Sequence, residues 1–202
     1  MRSAIRLASL AGALLALVPA SFAAEAASPA ASEAESATQL RFDGTIFVHR
    51  WSKSGTNEFT PPSQTDLDHW DDMVTLLVYD RFTTPEQLGQ AAVQLVANYK
   101  RDGLVLRTRF IAATPDRPAE YFIAGILPGG GIDEIVFTRL VMTDGVGAAR
   151  IVAHRLYGSD KRALAEGSAD WLQANGARTE AALLDWHDLP SVAALRTLPQ
   201  AP

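Results

Sequence analysis

The chain has 202 residues, no cysteine and a formal net charge of −5. That length allows one domain of ordinary size with its own packed core. The missing cysteines exclude disulfides, thiol nucleophiles, iron–sulfur ligation and cysteine-based zinc sites, and the acidic balance speaks against binding nucleic acid through its phosphates.

The first 23 residues read as a secretory signal peptide. Arg2 and Arg6 supply a positive start, residues 7–18 form an unbroken small and apolar run, Pro19 ends it, and Ser21, Phe22 and Ala23 offer a peptidase site. The run is too short to stay in a bilayer, which takes roughly 20 apolar residues, and no cysteine follows it to carry a lipid. The expectation is export with cleavage after Ala23, giving a periplasmic or secreted protein with no stable membrane anchor. Residues 24–39 are nearly all Ala, Ser and Glu and read as a flexible leader, because they hold almost nothing to bury. One domain is expected over residues 40–190, followed by an irregular tail over 191–202.

Residues 42–51, rich in β-branched and aromatic side chains, are a strand candidate. A long connection follows. Residues 52–57 are expected to turn the chain, Phe59 to anchor it, Pro61 and Pro62 to stiffen it, and residues 63–70 to make one capped helical turn that docks Leu67 and Trp70. Residues 72–79 are the second strand. Leu88, Ala91, Ala92, Leu95, Val96 and Tyr99 then recur with the helical period. Thr84 is placed to cap that helix, Pro85 and Glu86 suit its first turn, Lys100 and Arg101 suit its last, and Gly103 suits its stop.

Four strands are predicted next, over 104–113, 119–127, 132–143 and 148–157, divided by the turn signals TPDRP, PGGG and DGVG. Strict alternation in the first would put Leu104, Leu106, Thr108 and Phe110 on one face and Val105, Arg107, Arg109 and Ile111 on the other. A helix over 160–174 is expected to stop at Asn175-Gly176, and a shorter one over 179–187 carries Leu183 and Trp186. The order ββαββββαα describes an α+β fold, a mostly antiparallel twisted sheet of about six strands with helices packed on it. This order is similar to that of small exported α+β sandwiches such as the PsbP-like domains.

The chemistry-bearing residues form few patterns. His49, His69, His154 and His187 lack zinc-ligand spacing, and His49 would meet His154 only if their strands were neighbours. Asp66, Asp68, Asp71 and Asp72 do not follow the spacing of an EF-type calcium loop. Ser168 has no nucleophile-elbow context, and the glycines at 129–131 lead into an acidic strand rather than a phosphate-binding helix. No metal and no cofactor is therefore expected.

Arg107 and Arg109, with Arg139 and Arg155 on later strands, could line one sheet face toward a carboxylate-bearing ligand, or pair with Glu120, Asp133 and Glu134. The leading expectation is a non-catalytic binding or protein-interaction module with an unidentified protein or small-molecule partner in the periplasm. Its binding residues would be Trp51, Phe59, His69, Trp70, Arg107 and Arg109. One alternative is an accessory or immunity-type protein of an envelope or secretion system, where acidic charge speeds association with a basic partner. Another is a hydrolase with His69 as base, oriented by Asp66 or Asp72.

Overall fold

In the computed structural model, residues 37–201 are described. The expected signal peptide and nearly all of the leader lie outside them. Eight strands form one sheet: β1 (Gln39–Phe42), β2 (Thr45–Lys53), β3 (Thr56–Thr60), β4 (Asp72–Tyr79), β5 (Leu104–Ile111), β6 (Glu120–Gly129), β7 (Ile132–Thr143) and β8 (Val146–Tyr157). Their order is β1-β2-β3-β4-β8-β7-β6-β5, and every pairing is antiparallel. The fold is therefore α+β, with eight strands where about six were expected.

Both extra strands come from two-residue hairpins. Asp43-Gly44, Ser54-Gly55, Gly130-Gly131 and Asp144-Gly145 all have positive φ at both residues. That is the type I′ geometry whose twist matches the strands it joins, and glycine at the second position adopts it without strain. The run expected as one strand over 42–51 is thus split at Asp43-Gly44 into β1 and β2. The turn at Ser54-Gly55 launches β3, which contains Phe59.

α1 (Pro85–Asp102) carries the chain from β4 at mid-sheet to β5 at the far edge. Thr84 and Gln87 form a reciprocal capping box, Pro85 opens the helix, and Gly103 N–H closes it on Tyr99 O at 2.8 Å. Leu88, Ala92 and Tyr99 are buried against one sheet face with Ile123, Val136 and Leu140. Tyr99 Oη meets Thr138 Oγ1 at 3.0 Å, so even the polar tip is satisfied.

The other face is covered by the C-terminal helices. α2 (Lys161–Trp171), a five-residue π turn (Leu172–Gly176) and α3 (Ala177–Leu184) run on without a break. Asn175-Gly176 does not stop the helix: Gly176 has φ −56 and ψ −48, and the Asn175 amide donates to Trp171 O at 3.1 Å. A short α4 (Val192–Arg196) then places Val192, Ala194 and Leu195 in the core. The expected irregular tail is thus partly a docked helix, and Ala37, at 0% exposure, extends the core before residue 40.

β7 shows the two-faced burial most clearly. Ile135 and Phe137 join the cluster under the C-terminal helices, and Val136 and Leu140 join the one under α1. Each fully buried side chain of this kind stabilises the fold by about 1.5–3 kcal/mol.

Candidate functional site

The connection between β3 and β4 holds no capped helical turn. It is an irregular loop pinned by side chains. Asp66 Oδ1 accepts from Asp68 N at 2.9 Å, and Gln64 Oε1 accepts from Asp71 N and Asp72 N at 2.8 and 3.0 Å. Arg50 reaches in from a β-bulge to Thr60 Oγ1, Pro61 O and Pro62 O. The Tyr157 hydroxyl donates to Trp70 O at 2.6 Å and accepts from Trp70 N at 2.9 Å.

This pinning turns the loop's aromatic residues inward. Phe59 is fully buried in the core, and Trp70 is buried beneath Arg155, whose guanidinium carbon lies 3.8 Å from the ring centroid. His69 is exposed and leans on Tyr157 at 4.2 Å. Trp51 is half-buried on the α1 side of the sheet, in the row Trp51, Glu58, Thr75, Ile151. Phe59 and Trp70 therefore act as core side chains, and these four residues do not converge on one site.

The arginines divide between faces. A bulge between Val105 and Arg107 breaks the expected alternation of β5, so Leu104, Arg107 and Arg109 lie on the C-terminal-helix side while Val105, Thr108 and Phe110 lie on the other. Arg107 and Arg109 both meet Glu180 of α3, at 3.5 and 2.9 Å. Arg139 shares their side but is buried, and Arg155 projects from the opposite face, paired with Glu134 at 2.8 Å. β7 and β8 adjoin, whereas β6 separates β5 from β7.

Arg139 and Arg150 instead hold the end of α3. Arg139 Nη1 donates to Leu183 O and Trp186 O at 3.0 and 3.4 Å, and Arg150 Nη1 donates to Trp186 O at 2.5 Å. Cations at a helix C-terminus satisfy its orphan carbonyls and complement its dipole. Burial, reinforced by the neighbouring Arg139, pulls the Arg150 pKa down to about 10.

A large concavity lies between the far end of the sheet and α2. It is a groove of about 910 Å³. Leu104 and Leu106 of β5, Ile126 of β6, Ile132 of β7, and Leu164 and Leu172 form much of its walls, with the 129–131 glycine loop at one end and Lys161 at the rim. Leu104 and Leu106 are 57% and 40% exposed, so this surface is apolar and open. Asp133, also at this groove, is satisfied by Ser168 Oγ at 2.9 Å, a bond that ties α2 to β7. The glycine loop that sequence spacing marked as a plain hairpin is therefore a hairpin and also an end of the groove.

The histidines make separate arrangements. His49 and His154 stand on β2 and β8, three strand spacings or about 14 Å apart. Asp72 pairs with His154, not His69: His154 Nδ1 lies 2.8 Å from Asp72 Oδ1, and the ring stacks on Trp171 at 4.6 Å and 14°. Nothing in the local sequence marks this dyad, because it depends on β8 returning beside β4. Among the described residues no cluster of three or more His, Asp or Glu is arranged to hold a metal ion, and no helix is long and apolar enough to cross a membrane.

No family model matches the chain, and no curated protein matches it. Among solved structures, the Ran-binding protein Mog1p of Saccharomyces cerevisiae aligns with 77% of this chain and 96% of its own, at 10% identity and a TM-score of 0.42. Human STARD10 covers 69% of this chain and 74% of its own, at 12% identity and a TM-score of 0.28. A Mog1 point mutant covers 78% and 86%, at 8% identity and a TM-score of 0.33. Likenesses this weak carry no argument about function.

Proposed function

We propose that the protein is a non-catalytic binding module, acting outside the cytoplasm, that holds an elongated apolar or amphiphilic molecule in the groove between β5, β6, β7 and α2. The observation that carries this reading is the groove itself. Its volume of about 910 Å³ is in the upper part of the range of small-molecule sites. Its leucine and isoleucine walls offer little to a polar solute, and Lys161 gives an anionic head group a cation at the rim. Export is supported by the charged start, apolar run and small-residue site of residues 1–23.

Two experiments test the reading. A lipophilic fluorophore such as N-phenyl-1-naphthylamine should brighten on binding and be displaced by a long-chain fatty acid. Ala165 and Ala169 line the groove with exposed side chains, so Ala165→Phe with Ala169→Phe should fill it and abolish the signal at unchanged melting temperature. Undiminished binding by that double variant overturns the assignment. Separately, full-length chain recovered by osmotic shock should begin at Ala24; recovery only from the cytoplasm, with Met1 retained, defeats the export half.

A further inference from the structure

We propose a second binding site, in the pocket framed by β1, β2, β4, β8 and the π turn, that takes a small neutral ring compound bearing one hydroxyl or N–H donor, with His154 Nε2 as its acceptor. The pocket has a volume of about 230 Å³ and shares no lining residue with the apolar groove. At about 30 Å³ per water that is room for roughly eight waters, the scale of a phenol rather than of a fatty acid.

The geometry of His154 sets the ligand chemistry. An ionised carboxylate only accepts, so in the neutral imidazole the 2.8 Å contact with Asp72 Oδ1 places the one ring proton on Nδ1 and leaves the Nε2 lone pair available. Among the described residues no group bonds Nε2. The ring cannot turn freely, because the Trp171 indole lies against it nearly parallel at 4.6 Å. Carboxylate–imidazole pairs fix tautomer and ring orientation in this way wherever the second nitrogen has a task.

Trp171 is held in turn by the π turn. Its carbonyl accepts the Asn175 amide at 3.1 Å, and Asn175 is itself a lining residue. π insertions of this kind occur frequently at functional sites. The aromatic walls Phe42, Phe47 and Phe137 suit a ring. Charge selects against anions: Asp72 and Asp43 repel them, and Arg178 is already occupied by Asp43 at 2.9 Å.

Phenol and toluene are probes that separate the donor from the ring. Titration of phenol into the full chain, followed by NMR of the histidine ring nitrogens and tryptophan indoles, should shift His154 Nε2 and Trp171 saturably, with toluene at least tenfold weaker. His154→Phe should remove the preference for phenol. Should that variant fail to fold, Asp72→Asn, which no longer enforces the Nδ1–H tautomer, should weaken phenol several-fold with toluene unchanged. Equal affinity for the two probes, or phenol binding that leaves the His154 signals unmoved, overturns the proposal. Loss of fluorophore binding in the groove would leave these readouts unaltered, so the two sites fail or stand independently.

Discussion

Arg139 Nε lies 2.7 Å from Glu120 Oε2, with the two side chains only 2% and 6% exposed. The same guanidinium reaches the Leu183 and Trp186 carbonyls, so one buried cation neutralises a buried carboxylate and caps α3. Removing one member of a buried pair strands the other's charge, at a cost of about 3–5 kcal/mol. Glu120→Leu and Arg139→Met should each destabilise by that order in urea unfolding. The double variant should lose less than the two single losses added together, because neither member of the pair is left stranded by the other's removal. Strict additivity would show that the pair is not coupled.

His49 carries a different dependence. Its Nε2 is 2.7 Å from Ser52 Oγ, and the Ser52 hydroxyl donates to Asn57 Oδ1 at 2.7 Å. The serine proton is thus committed, and the histidine must be the donor in their shared bond. Burial pulls the His49 pKa below its ordinary 6.5, and a smaller backbone hydrogen bond with Trp51 acts the other way. Below 6.5 the unfolded chain takes up a proton that the folded chain resists, so stability falls as pH drops through that window and is complete above it. Melting temperature should therefore decline from about pH 7.5 to about pH 5, and His49→Gln should show a shallower decline. Parallel slopes for the two proteins would rule His49 out as a source.

What could be read locally and what could not divide along physical lines. α1 was legible because its period, Thr84 cap and Gly103 stop all sit within one stretch. Asp144-Gly145 and Ser54-Gly55 were legible as turns, although the strand Thr56–Thr60 that follows the second was not, whereas Asp43-Gly44, with the same backbone, lay inside a β-rich run whose composition hid the reversal. Arg107 and Arg109 were placed on one strand face correctly, but the bulge after Val105 put Leu104 beside them where Val105 was expected. The pairing of Arg139 with Glu120 was among the readings the sequence offered, but its role in capping α3 and the Asp72–His154 dyad were out of reach. The first depends on which helix covers β7, and the second on the pairing of β4 with β8, neither of which a local pattern encodes.

Gly103 tests the close approach of α1 to the sheet. A Cβ built there would stand 2.1 Å from Ile126 O and 3.0 Å from Pro128 Cδ. The φ of −172° is ordinary extended backbone, so the demand for glycine is one of space alone. Ile126 is paired with Leu104 in the β5–β6 ladder and cannot withdraw without breaking it. Gly103→Ala should cost about 1–3 kcal/mol, the usual scale of overpacking. Gly129→Ala, with nothing within 4 Å, is the matched control and should leave the unfolding midpoint unchanged.

The π turn offers the sharpest test of how the C-terminal helices are seated. It accommodates one extra residue between α2, tied to β7 through Ser168 and Asp133, and α3, tied to β7 through the carbonyls that Arg139 holds. Asn175→Ala removes the donor to Trp171 O and an exposed acceptor that Arg178 Nη2 meets at 3.2 Å, and should cost about 1 kcal/mol. Deleting Asn175 is a different perturbation. It would let the helix run as plain α, turning α3 by about 100° relative to α2. Leu183, now at 0% exposure, would leave the core, and its carbonyl would leave Arg139. Denaturant unfolding should show a loss for the deletion several times that of the substitution, with the fluorescence of Trp186 moving toward that of an exposed indole. Equal losses would mean that the turn absorbs a length change without re-aiming α3, and that the anchoring at its two ends is not what keeps the extra residue in place.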